Sequence, residues 1–281
     1  MTQTTRITRS QSIALAASAA ACLWPAGRMA LAAGPQVAPP PNLVTPGKLT
    51  FVTAASAPPF EYKKAGQYTG FDFDMIHALA GYMGLEPVPI DLTFDGLIPA
   101  LLGNRADIIN SSMYITPARS EKVDFVPYLK IGEAIMVAAA NPKNIHSVDD
   151  LSGKDVAVTR GAIEQTYATA QNAEFAKAGK KLENMVSLPT ELDCALTVEQ
   201  GRADAFFTYV QGGTYLLEQR PGVFKMAGTF AFNTRLGIAT RKGETAMHQA
   251  IDQAMNLFVK SGGYKALLAK YQFPSESSIF V

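Results

Sequence analysis

Two stretches of this chain have the same form. "LLGNRADIIN" (101–110) and "VEQGRADAFF" (198–207) each end a helical pattern at Gly, pass through Arg-Ala-Asp and enter an apolar run. Around each lies an alternation of strand-like and helix-like segments. In the first, "KLTFVT" predicts a strand from Lys48, and "PPFEYKKAGQYTG" reads as loop and turn. "FDFDMIHALAGYMG" predicts a helix, because Phe73, Ile76, Ala80 and Met83 recur at helical spacing and Gly84 ends it. "EPVPIDL" reads as a strand, "FDGLIPALLGNR" as a helix, "ADIINSS" as a buried strand and "AIMVAAA" as another. The second round runs through "DVAVT", "GAIEQTYATAQNAEFAKAG", "ENMVSLP", "ELDCALTVEQGR", "ADAFFTY", the short helix of "GGTYLLEQRPG" and the strand "LGIATRK". Two helices close the chain, near 245–261 and 263–271. Such alternation argues for an α/β protein whose parallel sheets are covered by helices. The echo argues for two similar lobes, and 281 residues suffice for both. Ligands of such folds sit beyond the carboxyl ends of the strands.

The first residues read as an export signal. Arg6 and Arg9 precede the apolar "SIALAASAAACLW" (12–24), and "ALA" offers cleavage after Ala32. The apolar run is short for a membrane span. The expected location is the periplasm. Ala19 stands three residues before Cys22, where a lipoprotein signal usually has Leu, so a lipid anchor is disfavoured. Arg6, Arg9 and Arg28 are lost with residues 1–32 and no acid is, leaving 22 of the 25 basic residues against 24 acidic ones, a net of −2. That balance points away from nucleic acid and from anionic membranes. Cys194 then has no partner and reads as a small buried apolar residue. His77, His146 and His248 are scattered without metal-ligand spacing, so neither metal nor cofactor is expected. Residues 33–47, with "GPQVAPPPNLVTPG", read as an extended Pro-rich tether.

"PPFEY", "GFDFDM", "FDGLIPALLGNRADI", "TPARSEKVDFVPY", "DLSGKDVAV" and "GRADAFF" occur in this order. Together they resemble family 3 of the bacterial extracellular solute-binding proteins, the polar-amino-acid group that serves ABC importers in the periplasm. The resemblance implies a type II periplasmic-binding-protein fold: two α/β lobes, each with its own sheet, joined by two crossing strands. Lobe 1 would comprise 48–133 and 235–281, and lobe 2 would comprise 134–234. The crossings would fall in "KIGEAIMV" and "AFNTRLG". It also implies a binder and not an enzyme, taking a small-molecule carboxylate ligand of the amino-acid type, delivering it to an inner-membrane ABC permease complex and working as a monomer.

The resemblance also names a site. Thr116 and Pro117 suit the cap and first position of a short helix, which puts Arg119 in its first turn. By family position, Arg119 clamps the ligand α-carboxylate, for which a guanidinium fork is suited. Ser111 and Ser112 supply donors at a strand end, and Tyr114 stands where Ser or Thr is frequent. Phe94 would lie against the ligand side chain, whereas Phe60 reads as core. Asp72 and Asp74 read as charges matched to a helix start. In the second lobe, Gly161-Ala162-Ile163 lacks two hydroxyls that the family often shows, with Arg160 before it and Glu164 after it. The family's ammonium-binding Asp is replaced by Tyr209. Three alternatives stay open: Glu164 takes the ammonium, Tyr209 takes it, or Arg119 and Arg160 hold an organic acid without an amine. Ala54 and Ala57 occupy the selector positions and are small and apolar. The expectation is an apolar, aromatic or modified amino acid over Lys, Arg or His. A minor alternative is a cyclohexadienyl-dehydratase-like enzyme with Glu164 as the acid.

Overall fold

The computed structural model describes residues 35–280, so the export signal, its cleavage site and Cys22 lie outside the described residues. The chain opens with β1 (Lys48–Thr53) and a small antiparallel sheet of β2 (Ser56–Ala57), β3 (Glu61–Lys64) and β4 (Gln67–Thr69). This sheet replaces the expected loop. Ala65 and Gly66, both at positive φ, make its β3–β4 turn. Gly70 follows at φ 128°, and a Cβ there would lie 2.1 Å from the Phe60 carbonyl oxygen, so no side chain fits. Next come α1 (Phe71–Met83), β5 (Glu86–Asp91), α2 (Leu97–Leu102), β6 (Ile108–Ile109) and the single-turn α3 (Pro117–Ser120). Gly84 ends α1 in the left-handed conformation, as expected of a C-terminal glycine.

β7 (Val123–Ala138) then leads into β8 (Asp155–Thr159), α4 (Ile163–Lys177), β9 (Asn184–Leu188), α5 (Glu191–Glu199), β10 (Ala205–Tyr209) and α6 (Val210–Gln219). β11 (Phe224–Arg241) returns, and α7 (Thr245–Lys260) and α8 (Gly263–Lys270) finish the chain. The large sheet has eight strands in the order β5-β1-β6-β11-β7-β10-β8-β9. β5, β1 and β6 are parallel to one another, as are β10, β8 and β9. These are the two expected parallel-type sheets, joined by two crossing strands. β7 and β11, antiparallel and hydrogen-bonded from Val123↔Arg241 to Ala138↔Phe224, join both halves into one sheet. Both expected crossings lie within these strands. The register shifts between Met226 and Gly228, between Phe230 and Thr234, and between Leu236 and Gly237. Such irregularities bend a strand locally.

Helices bury their apolar faces on each half. Ile76 and Met83 of α1 meet Met247, Ile251 and Met255 of α7 in the largest cluster. In the second half, Cys194 and Val198 of α5 pack with Phe206 and Leu216. Phe175 of α4 packs with Val156, Val158 and Phe207 on the other side.

The repeated Arg-Ala-Asp does the same work twice. The Asp107 carboxylate accepts from the Thr50 N–H at 2.7 Å, and the Asp107 N–H donates to the Thr50 carbonyl. The Asp204 carboxylate accepts from the Asp155 N–H at 3.0 Å, and its N–H donates to the Asp155 carbonyl. Each Asp thus pins the start of the central strand of its half.

The Pro-rich stretch is more than a tether. The N–H groups of Gln36 and Val37 donate to the Tyr82 carbonyl, Val37 is buried in the α1 cluster, and the Val44 N–H donates to Asp107.

Candidate functional site

β1, β6, β8 and β10 end, at their carboxyl termini, around one small cavity. Its lining comprises Ala54, Ser56, Ala57, Glu61, Phe94 and Ser112 from the first half, and Thr159, Ala162, Glu164, Glu191 and Tyr209 from the second. Its volume is about 20 Å³, room for roughly one water. An amino acid enters only if the walls part.

Three carboxyl groups line this cavity and each is almost fully buried: Glu61 is 1% exposed, Glu164 2% and Glu191 5%. Glu61 accepts from the hydroxyls of Ser111 at 3.0 Å and Ser112 at 2.7 Å through one oxygen; its other oxygen has no partner. Burial, with the neighbouring Asp72 adding to it, holds its pKa well above the usual carboxylate range. Glu164 sits in the first turn of α4 with an unpartnered Oε2. Burial raises its pKa to about 7, against the pull of its own backbone N–H and of Arg119. Glu191 opens α5, accepts from the Thr208 hydroxyl at 2.5 Å, and is pushed by burial to about 8.

Three further acids lie outside the lining. Asp72 is fully buried and accepts from the Ser112 N–H and the Tyr128 hydroxyl; burial raises it to about 7. It ties the 110–114 turn to α1, a different task from the expected matching of a helix start. Asp74 accepts from Lys270 and Tyr271. Glu133 of β7 accepts from the Tyr114 hydroxyl, and burial again raises its pKa, with Glu164 contributing.

Arg119 lies beside the cavity and not in its lining. It lines the adjoining surface groove, and Phe94 and Gly161 flank it there. The Thr116 hydroxyl caps α3 by accepting from the Arg119 N–H, as the Thr-Pro pair predicts. The guanidinium donates to the Tyr114 carbonyl at 2.9 Å and to the Gly161 carbonyl at 3.1 Å, and stands 5.2 Å from the Phe94 ring centroid. It therefore bridges the two halves. Among the described residues it makes no ion pair. Burial lowers its pKa, offset by Tyr209 and Glu164.

The aromatic residues are already engaged. Tyr209 donates to the Ser112 carbonyl at 3.0 Å, its ring is stacked on Tyr114 at 5.5 Å and it meets Phe60 edge-on. Phe60 is fully buried in the core. Ser111 accepts from the Ala54 N–H and donates to Glu61.

Arg160 is placed elsewhere. Its side chain is 52% exposed, 3.9 Å from Asp95, and lines no part of the cavity. Gly161, at φ 72°, lets the backbone approach Asp95, since a Cβ there would lie 2.9 Å from the Asp95 Cβ.

Glu61 and Glu191 escaped sequence reasoning. Glu61 is inside "PPFEY", a stretch read as loop and turn, which gave its carboxyl no role. Glu191 follows Thr190, which caps α5, and an acid in a helix's first turn is common enough to carry no signal of a site. Among the described residues no cluster of His, Cys, Asp and Glu is arranged to hold a metal, and no helix is long and apolar enough to cross a membrane.

The family model for bacterial extracellular solute-binding proteins, family 3, matches residues 49–274. ABC transporter arginine-binding protein 1 of Escherichia coli is 30% identical over 226 residues, covering 78% of this chain and 88% of that protein. The histidine-binding periplasmic protein of Salmonella typhimurium is 28% identical, covering 80% and 88%. Among solved structures, an ancestral arginine-binding protein bound to arginine aligns with a TM-score of 0.75 at 31% identity, covering 80% of this chain and 98% of that one. An ancestral amino acid-binding protein described as a precursor of cyclohexadienyl dehydratase aligns with a TM-score of 0.70 at 31% identity, covering 80% and 95%.

Proposed function

Because the chain belongs to family 3 of the bacterial extracellular solute-binding proteins, with their two-lobed type II fold, we propose that it captures an amino acid for an ABC importer in the periplasm. The lobes, 48–133 with 235–281 and 134–234, part along β7 and β11, admit the ligand and close over it. Arg119 exchanges its two protein carbonyls for the ligand α-carboxylate. Glu164 takes the α-ammonium, because it stands in the first turn of α4, three residues after the Gly161 carbonyl that Arg119 holds, and the two ends of an amino acid are adjacent. Tyr209 is committed to Ser112, Tyr114 and Phe60, which argues against it as the ammonium anchor.

The observation that carries this reading is the wall of buried carboxyls, Glu61, Glu164 and Glu191, around one small cavity. It replaces the expectation of an apolar or aromatic ligand. Ala54 and Ala57 do line the cavity, but the acids beside them make it a poor place for an apolar side chain and a good one for a cation. The named relatives, arginine- and histidine-binding, agree with a cationic amino acid. An organic acid held at both ends by Arg119 and Arg160 is disfavoured, since Arg160 is on the surface. Catalysis is not needed to account for the site.

The test is a thermal-shift and calorimetric screen of the mature chain. Arginine, lysine and histidine are expected to raise the melting temperature, because a ligand of the folded state stabilises it. Leucine, phenylalanine and deaminated acids are expected to do less. Equal shifts with the deaminated acids would overturn the ammonium assignment. Phenylpyruvate formed from prephenate would turn the reading towards an enzyme.

A further inference from the structure

The reading above gives the α-carboxylate and α-ammonium to Arg119 and Glu164. Two lining carboxyls are left, one on each wall, and the bonds each makes come from side-chain hydroxyls. Glu61 rises from the first half at the start of β3; Glu191 descends from the second half at the start of α5. The oxygen Oε2 of Glu61 is sealed from solvent in a carboxyl that neighbours Asp72; burial keeps the group protonated, and a cation would favour its ionised form.

Glu191 has a built-in support. The Thr208 hydroxyl donates to its Oε1, so one oxygen is fixed and the other is left for a ligand. Room for this contact depends on Gly212 in α6. A Cβ at 212 would lie 2.6 Å from the Thr208 hydroxyl oxygen and 3.3 Å from Glu191 Oε1. Three elements, β10, α5 and α6, therefore meet to hold one carboxyl at the cavity wall. Arg119 lies in the adjoining groove with Phe94 and the Gly161 carbonyl, whereas Glu191 lines the inner cavity, to which Arg119 does not contribute. Glu191 thus belongs to the end of the cavity away from the α-carboxylate seat.

We propose that Glu191, propped by Thr208 and faced by Glu61 across the cleft, is the residue that selects ligands carrying a cationic group at the far end of the side chain. This rests on the amino-acid reading of the cavity and adds the source of its selectivity. The cation pairs with Glu191 from one lobe and Glu61 from the other, so the charge itself draws the lobes together. A neutral side chain of the same length leaves both carboxyls unpaired and gains no such contact. Discrimination then comes from unsatisfied groups on the protein when the wrong ligand binds.

The experiment compares matched ligands by isothermal titration calorimetry: arginine against citrulline, and lysine against norleucine. The wild-type chain is expected to favour the cationic member by at least about tenfold. Glu191→Gln keeps the shape and the Thr208 contact but removes the charge. It is expected to weaken arginine binding by about tenfold while changing citrulline binding less than about twofold, so that the ratio collapses. Thr208→Val, which removes the prop alone, is expected to narrow the ratio by a smaller factor, and Glu191→Asp to restore part of it. Circular dichroism and melting of each free variant verify the fold. A Glu191→Gln protein that loses both ligands equally, or that keeps the wild-type ratio, overturns the assignment of Glu191 and leaves the amino-acid reading intact. A wild-type chain that binds none of the four overturns both.

Discussion

The two halves of this protein share a folding device and differ in what they do with it. Asp107 and Asp204 make the same pair of backbone bonds to the first strand of their halves, Thr50 and Asp155. Asp107 is fully buried and also accepts from the Thr50 hydroxyl and the Val44 N–H. Asp204 is partly exposed and has Lys143 at 3.9 Å. The walls they support differ in charge. The first half carries Arg119 on its short helix and one lining acid, Glu61. The second carries Glu164 and Glu191 and no lining cation. A repeat can therefore keep the geometry of a sheet corner while its cleft surfaces differ, the proposed anion seat lying on the first and two of the three lining acids on the second.

The largest expected effect tests the anion side. Arg119→Ala should weaken binding of the best amino acid by about 2–5 kcal/mol, the usual cost of removing one partner of a desolvated charge pair. Calorimetry measures it, and an unchanged affinity would break the division of roles between the walls. The folding device comes next. Asp107→Ala leaves three donors without an acceptor in the interior and should lower stability by about 2–3 kcal/mol. Asp204→Ala, near solvent, should cost about 1 kcal/mol. Urea midpoints of the two variants give the comparison directly, and equal losses would show that burial does not separate the two copies.

Much of this was legible because it repeats. The strand–helix alternation, the Gly84 stop and the Thr116 cap follow from local chemistry that nothing in the tertiary structure overrides. The long strands were read only in part. β7 begins at Val123, where "VDFVPY" mixes charge, aromatic and Pro, and β11 begins at Phe224, with Gly228 and an irregular 230–234 inside it. Their regularity comes from each other and not from sequence period. The β3–β4 hairpin was missed because Ala65, an unusual residue at positive φ, opens its turn. The acids of the cavity wall were missed for a different reason. Glu61 and Glu191 reach the space beside Ala54 and Ala57 from β3 and α5, and no spacing in the sequence brings 61 and 191 together.

The buried acids make a prediction about pH with opposite signs for the free and the loaded protein. Carboxyls of unfolded chains titrate near about 4.3. Glu164 and Glu191 titrate at about 7 and about 8 in the closed fold, because burial penalises their charge. The folded protein holds more protons than the unfolded one in this window, so the free protein should lose stability as pH rises from about 5 to about 8. A cation bound between these groups favours their ionised forms. Its affinity should therefore increase over the same window, by up to about tenfold per pH unit for each proton released. Melting curves with and without arginine between pH 5 and 8 should diverge, the free transition falling while the ligand-induced shift grows. Parallel curves would mean that the carboxyls are already paired or solvated before the ligand arrives.

The smallest expected effect concerns the other arginine. Arg160 is adjacent to Gly161, whose carbonyl holds Arg119, yet its own side chain points to solvent beside Asp95. The two arginines are thus neighbours at the cleft mouth with different surroundings. An exposed pair at 3.9 Å contributes about 0–1 kcal/mol, and salt screens it. Arg160→Ala should change amino-acid affinity by less than about 0.5 kcal/mol, within the range of surface substitutions. Because Arg160 and Asp95 stand on opposite halves, the change should appear, if anywhere, in the dissociation rate at low ionic strength and vanish at high salt. A loss on the scale of Arg119→Ala would mean that Arg160 turns inward when the ligand is bound. The second half would then carry a cation of its own, and a ligand with an acid at each end would become the better fit.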